Sequence, residues 1–183
     1  MASAFTHAFV AVAAGKMYAR DPMPRRFWIT SIALSILPDL DVIGFGFGIR
    51  YGDFLGHRGF SHSIVFAMIA AAAVLPLFEG RSWRLWLYFT GVTASHGLLD
   101  AMTDGGLGIA FFSPLDTARY FLPWTPVRVS PIGIGAFFSR WGRVVLLSEI
   151  GYIWIPVFLA TVVWRKLRAR RNARGAGETK SSP

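Results

Sequence analysis

The stretch Val144–Trp164, VVLLSEIGYIWIPVFLATVVW, decides what kind of protein this is. It carries a single charge, Glu149, and is followed at once by Arg165, Lys166, Arg168, Arg170, Arg171 and Arg174. A run of about 20 apolar residues spans a bilayer as a helix, and a basic cluster just beyond it marks the cytoplasmic end. The composition of the whole chain agrees. Its 183 residues are 54% hydrophobic and 16% charged, with a mean hydropathy of +0.46. Soluble domains carry about 25% charged residues, so this chain has too few to cover its own surface in water. A cytosolic enzyme and a disordered tail protein are both excluded. With 7 Trp, 16 Phe and 5 Tyr it is suited to a bilayer with interfacial aromatics. There is no cysteine, which excludes disulfides, thiolate metal sites and a cysteine nucleophile.

Working back from that span, four further apolar runs appear. Phe5–Tyr18 is broken only by His7 and Lys16, and a basic link through Arg20, Asp21, Arg25 and Arg26 follows. Phe27–Leu37 is expected to stop at Pro38, since the residue before proline avoids the helical region. Asp39–Ser61, rich in glycine, reads as irregular. Ser63–Phe78 and Trp83–Met102 are two more helices, the second carrying His96 and Asp100. Residues 103–142 read as a long loop with short helical pieces. The fold expected is an all-α membrane bundle of about five helices, residues 1–164, with a basic, disordered cytoplasmic tail over 165–183. No cleavable signal peptide, internal repeat or heptad pattern is visible.

If the chain changes sides at each helix, thirteen of the 19 Lys and Arg fall on one face, which the positive-inside rule makes cytoplasmic. The first two helices look short. About 15 residues cover roughly 22 Å against a hydrocarbon core of about 30 Å, so a re-entrant hairpin is an alternative to two full spans.

In this topology all four histidines and most aspartates meet at the other end. His7 opens the first helix, Asp39 and Asp41 follow the second, His57 and His62 precede the third, and His96, Asp100 and Asp104 close the fourth. Ionisable groups in or beside a membrane span are costly, and are functional candidates by default. His96 and Asp100, four apart, share a helical face. Asp39 and Asp41 point the same way if the backbone there is extended. Four carboxylates at helix C-termini, where the dipole disfavours negative charge, are poorly explained without a cation. The metal ligands expected are therefore His7, Asp39, Asp41, His57, His62, His96 and Asp100. Mixed imidazole and carboxylate donors suit Zn²⁺, with Mn²⁺ or Fe²⁺ as alternatives, and the number of carboxylates suits two ions. Taken singly, each histidine reads as a hydrogen-bonded bundle residue, Asp39 as a turn cap and Asp100 as a partner of Arg58. Glu149 reads either as an orienter of a ligating histidine or as an interfacial acid. Ser61 or Ser63 is simplest as an N-cap.

Asp39-Leu-Asp41, His57-Arg-Gly-Phe-Ser-His62-Ser and Ser95-His-Gly-Leu-Leu-Asp100, with His7 in a Thr-His pair, resemble the YdjM-type family of bacterial inner-membrane proteins. The resemblance runs from about Thr6 to Pro156 and includes Phe112-Ser-Pro114 and Arg119-Tyr-Phe-Leu-Pro-Trp124. It implies a membrane-bound, metal-dependent hydrolase of the inner membrane, and links some relatives to the SOS repressor. A looser similarity is to zinc-dependent phospholipase C, which gathers an early His, an Asp, further His residues and a His-x-x-x-Asp around zinc. This chain lacks the second His-x-x-x-Glu signature of those enzymes.

The chemistry expected is hydrolysis of a phosphoester by metal-activated water. Arg58, Arg119 and Arg128 lie on the site's side, and guanidinium forks match phosphate oxygens. Arg58 is taken as the catalytic arginine, and Asp41, Asp100 or Asp104 as general base. Phe111, Phe112, Tyr120, Phe121 and Trp124 would border a lipid phosphate substrate, or simply anchor the interface. Membrane lipids are the expected partners. Nucleic acid is not, because a basic tail abutting a span is explained by orientation and anionic lipid. Two other classes compete: a structural or regulatory membrane protein braced by a metal, and a metal- or proton-coupled transporter, which lacks paired interrupted helices here.

Overall fold

The computed structural model describes residues 1–19 and 22–178; Arg20, Asp21 and the last residues of the tail lie outside them. Helix α1, Ala4–Tyr18, starts where Ser3 turns its hydroxyl onto the Thr6 amide. Helix α2, Arg25–Ile36, follows Pro24. α3, Ile64–Val74, and α4, Trp83–Ala101, begin at Ser63 and Ser82, each capping an amide three residues on. Ser63, not Ser61, is thus the cap expected in that segment. A single helical turn, α5, spans Ile134–Phe137. α6, Arg140–Glu149, passes through a π-helical stretch, Ile150–Trp154, into α7, Ile155–Glu178. Among the described residues there is no strand, only two isolated bridges, Thr103 to Val127 and Ile109 to Tyr120. The all-α expectation holds. The one-turn α5 is additional to the five larger rods.

Two expectations need correction. Pro38 does not end the second helix. The α-helical part stops at Ile36, but the chain continues as a 3₁₀ helix over Leu37–Phe47, with Pro38 in its first turn, where proline is tolerated. It ends at Gly48, whose φ of 81° suits glycine and whose N–H closes back on Phe45. Residues 39–47 are therefore helical, not irregular. Nor is the basic segment after Trp164 irregular from its start, since α7 continues to Glu178. Arg, Lys, Leu and Ala are all good helix formers, and Arg168 donates to the carbonyls of Met17 and Ala19 at the end of α1.

Two segments, Arg25–Phe47 and Arg140–Ala173, are long and apolar enough to cross a membrane. The 3₁₀ extension is what lengthens the first. Large apolar side chains on both face outwards, Ile29, Ile155, Phe158, Leu159 and Val163 among them. That is the pattern of a lipid-facing surface, since soluble proteins rarely leave large contiguous apolar patches open.

The core at the end opposite the histidines is aromatic. Phe27, Phe78 and Phe89 pack with Leu34, Leu85, Ala70 and Ala71, and Tyr88 stacks on Phe27 at 4.9 Å. Small residues set the spacing: a Cβ at Gly15 would lie 2.6 Å from the Trp28 ring. α1 and α2 touch at this glycine. The N-termini of α1 and α3 and the C-termini of α2 and α4 are thereby brought to one end.

Candidate metal centre

That end holds all seven of the expected ligands. His7, His57, His62, His96 and Asp100 are each 3% exposed or less, and Asp39 is 7%. Asp39, His62, His96 and Asp100 form one group in which each offers an atom within 4.8 Å of the others. His96 Nε2 lies 3.1 Å from His62 Nε2 and 3.2 Å from Asp39 Oδ1. Asp100 Oδ2 is 3.8 Å from His62 Nε2 and 3.9 Å from His96 Nε2. Asp41, His57 and His62 form a second, overlapping group.

The 3₁₀ helix explains why Asp39 and Asp41 serve different groups. At three residues per turn, positions i and i+2 diverge by about 120°. The two aspartates therefore do not point the same way, as extended backbone would have them. Asp39 meets His62 and His96. Asp41 meets His57 Nδ1 at 2.7 Å and also accepts from Ser61 Oγ at 2.6 Å and the Arg58 amide at 3.2 Å.

Hydrogen-bond partners assign the histidine tautomers. His96 Nδ1 lies 2.7 Å from the Ser35 carbonyl, which only accepts, so Nδ1 carries the proton. His62 Nδ1 lies 3.0 Å from Ser61 Oγ, whose own proton goes to Asp41, and 3.3 Å from Asp41 Oδ2. It too is protonated. If both rings are neutral, two Nε2 lone pairs face each other 3.1 Å apart, beside two carboxylates, in a buried space, and a cation between them, a metal ion or a shared proton, is needed to relieve the repulsion. Tetrahedral ligands about 2.1 Å from an ion stand about 3.4 Å apart, the spacing found here. Asp39 Oδ2, Asp100 Oδ2 and both ring nitrogens of His7 are buried without a hydrogen-bond partner, and such groups in a native fold call for an explanation. The donor set fits a divalent cation.

Several expected residues play other parts. Arg58, fully buried with φ 66°, places Nε 3.5 Å from Asp100 and gives its outer nitrogens to the Gly105 carbonyl and Thr103 Oγ1. It balances Asp100 from inside and is not free to meet a phosphate. Asp104 is held by Arg128 at 2.6 Å and the Val129 amide at 2.8 Å, which occupies both its carboxylate and that arginine. Slight burial works to raise the Asp104 pKa, but Arg128 and the Val129 amide pull it below the usual range. A carboxylate so held is a poor base near neutral pH, so Asp104 does not fit the catalytic role expected of it. Arg119 donates to the carbonyls of His57, Tyr51 and Asp53.

Glu149 is fully buried and accepts from the Ser3 amide, Ser3 Oγ and Thr6 Oγ1. It does not touch a histidine. It holds the first turn of α1, and Thr6 is followed directly by His7. An acid at that turn is also favoured by the helix dipole. Trp154, the last residue of the π-helical stretch, donates to the same Thr6 hydroxyl at 2.7 Å. The residues that sequence reasoning missed are Ser35, acting through its carbonyl, and Ser61, which links Asp41 to His62. A backbone acceptor leaves no signal in a sequence; Ser61, between the two histidines, was visible only as a cap.

Chemistry and resemblance now meet. The chain matches the family described as YdjM inner membrane protein over residues 1–173. It is similar to a protein of Escherichia coli (strain K12) named Inner membrane protein YbcI, 36% identical over 174 residues, which is 91% of this chain and 99% of that protein. No solved structure matches, and the likeness to phospholipase C finds no support in these comparisons. Seven acid and imidazole side chains gathered at one end of an apolar bundle, together with a match over almost the whole length, place this chain in the YdjM inner membrane protein family.

Proposed function

We propose that this chain is a membrane-bound, metal-dependent hydrolase that cleaves a phosphoester, with a lipid phosphate as the preferred substrate class. The observation that carries the reading is the convergence of His62 Nε2 and His96 Nε2 with Asp39 and Asp100 in one buried group, each offering an atom within 4.8 Å of the others. These four would hold the ion, Zn²⁺ before Mn²⁺ or Fe²⁺. A divalent ion supplies hydroxide near neutral pH and polarises a phosphoryl oxygen.

The chain's own residues do the rest. Asp41 orients two histidines through their Nδ1–H groups, the usual carboxylate–histidine support of a metal site. Of the three expected bases, Asp41 is filled and Asp104 is tied to Arg128, and the one unpartnered oxygen of Asp100, Oδ2, is the atom that would hold the ion. His7 Nε2 lies 3.4 Å from Asp100 and stacks on His96, so it is placed to exchange a proton with that acid. A neutral His62 offers one lone pair. One ion in the group of four is therefore the simplest occupancy, because Asp41, the acid of the second group, is filled by its own hydrogen bonds. The basic ends of the helices would face the cytoplasm, with the metal centre towards the outer face and lipid as the partner, not nucleic acid.

Metal analysis of purified protein, paired with phosphate release from a panel of phospholipids, tests this. His96→Ala should lose metal and turnover together while remaining helical by circular dichroism. Unchanged metal content in His96→Ala would overturn the ligand set. One observation favours a second reading: the group of four is almost wholly buried, like a structural site with no open position. Stoichiometric metal with no turnover on any lipid phosphate would select that reading.

A further inference from the structure

In α1, Phe9, Val12, Ala13 and Lys16 fall on one helical face, and in α7 a stripe of the same spacing runs from Phe158 to Arg165. Each stripe ends in a cation. The two helices pack together and run the same way. Thr6, near the start of α1, meets Glu149 and Trp154, and Met17, near its end, accepts from Trp164 and Arg168. Parallel packing makes the stripes the two walls of one groove of about 120 Å³, with Lys16 and Arg165 together at its mouth. This is the end of the bundle remote from the metal centre.

The walls are fixed and the mouth is open. Phe9 stacks on Trp154 at 4.9 Å, and Trp164 and Arg168 tie α7 to the end of α1, so the helices need not be ordered by a ligand. Thr161, the one hydroxyl of the lining, donates to the Val157 carbonyl of its own helix at 2.7 Å, which leaves the length of the groove apolar. Lys16 and Arg165 are exposed, and among the described residues neither has a side-chain hydrogen bond or an ion pair. The arginine ion pairs there, Arg50 with Asp53, Arg58 with Asp100 and Arg128 with Asp104, all lie at the other end. Two like charges at one mouth repel, and an anion shared between them removes the repulsion. Phe9 to Lys16 covers roughly 10 Å of helix, within the about 15 Å of hydrocarbon in one leaflet. Trp164, adjoining Arg165, is the kind of side chain that sits at headgroup level, which sets the depth of the mouth.

We infer that this groove binds one anionic phospholipid, with an acyl chain lying between α1 and α7 and the headgroup phosphate between Lys16 and Arg165. A guanidinium fork and an ammonium are the usual partners of phosphate oxygens, and basic pockets between spans bind anionic headgroups. Free phosphate would leave the apolar walls without a partner. A second copy in the same membrane orientation would bring its own basic end to the same level and repel the first. The inference rests on the chain lying in a membrane and not on the metal chemistry.

The test is titration of the full, delipidated chain in detergent with phosphatidylglycerol and with phosphatidylcholine of the same acyl chains, bound lipid being counted by native mass spectrometry. One phosphatidylglycerol per chain should bind about tenfold more tightly than phosphatidylcholine, or better, as one charge-assisted contact allows. The double variant Lys16→Gln/Arg165→Gln should lose that preference. Arg170→Gln/Arg171→Gln, which removes as much charge from the other side of α7, should keep it. Val162→Phe fills the groove and leaves both cations, and should weaken binding about tenfold while the chain stays helical by circular dichroism. Equal affinity for the two lipids overturns the proposal, as does a preference that survives in Lys16→Gln/Arg165→Gln. Equal losses in the two charge variants would make the effect one of the basic tail at large, and full binding by Val162→Phe would make it one of surface charge without a groove; either overturns it. A lipid-free dimer that Val162→Phe dissociates would give the groove to a second copy and overturn it too. Metal content and phosphate release should match wild type in every variant, so failure of the hydrolase reading leaves these lipid ratios untouched.

Discussion

Asp41 shows how a residue expected to be a ligand can be employed differently. Its two oxygens accept from His57, Ser61 and the Arg58 amide, and lie within reach of His62. A carboxylate so filled has little left for an ion, so its part is to hold His57 and His62 in one tautomer and one orientation. Asp41→Asn should therefore weaken metal affinity by about 10–100-fold, the range for losing such an orienting acid. Asp39→Asn, which alters an oxygen facing both Nε2 atoms, should lower occupancy even at high zinc. Competition with a chromogenic zinc chelator measures both. Equal loss in the two variants would make Asp41 a ligand. At this scale the sequence was informative about which side chains converge, because helix alternation alone carries His7, Asp39, His62 and Asp100 to one end. It was less informative about pairing. Asp100 with Arg58 was among its readings and is found, but that Arg128 is spent on Asp104 follows from how residues 103–128 lie over the helices, which no local spacing encodes.

Among the elements, the 3₁₀ helix and the π-helical stretch do most to shape the site. An 11-residue 3₁₀ run is unusual, since such helices seldom exceed three or four residues. Local propensity at Leu37–Phe47 predicts only a break at Pro38. The run persists because it sends Asp39 and Asp41 to different partners, a tertiary reward absent from local pattern. The π-helical stretch has a comparable consequence: it lies between Glu149 and Ile155, in a rod where Glu149 and Trp154 both address Thr6. Glu149→Ala would strand the Ser3 amide and two hydroxyls in a buried place and release the first turn of α1. The expected cost is at least about 2 kcal/mol, read as a lowered unfolding midpoint in detergent. Metal affinity should fall with it, because His7 and Asp100 are held by that turn. At the opposite end, Gly15→Ala would press a Cβ into the Trp28 ring and cost about 1–3 kcal/mol. Because the metal centre lies at the far end, its occupancy should be unchanged. Parallel melts and metal analyses of the two variants separate the contributions, and metal loss in Gly15→Ala would show that the ends are coupled.

For the whole molecule, the question is which side of the membrane the metal centre faces. The basic residues divide by helix ends. Lys16, Arg25 and Arg26, Arg81 and Arg84, and the run from Arg165 lie away from the histidines, and Arg168 ties the run from Arg165 to the end of α1. On the proposed reading, the positive-inside rule would put that end in the cytoplasm and the candidate metal centre towards the outer face. Two segments are long enough to cross, while α1 covers only about 22 Å and α3 is shorter still. These short helices must end below the surface on one side, which would bring the exposed aromatic rim, Phe112, Phe121 and Trp124, to the level of the headgroups. The chain has no native cysteine, so single cysteines at positions 53 and 82 report sidedness without background. In intact spheroplasts a membrane-impermeant maleimide should label position 53, and position 82 only after lysis. Labelling of both before lysis would mean that the intervening helix α3 does not carry the chain across. Labelling of position 82 alone would invert the orientation and turn the metal centre to the cytoplasm, where its substrate would have to come from the inner leaflet.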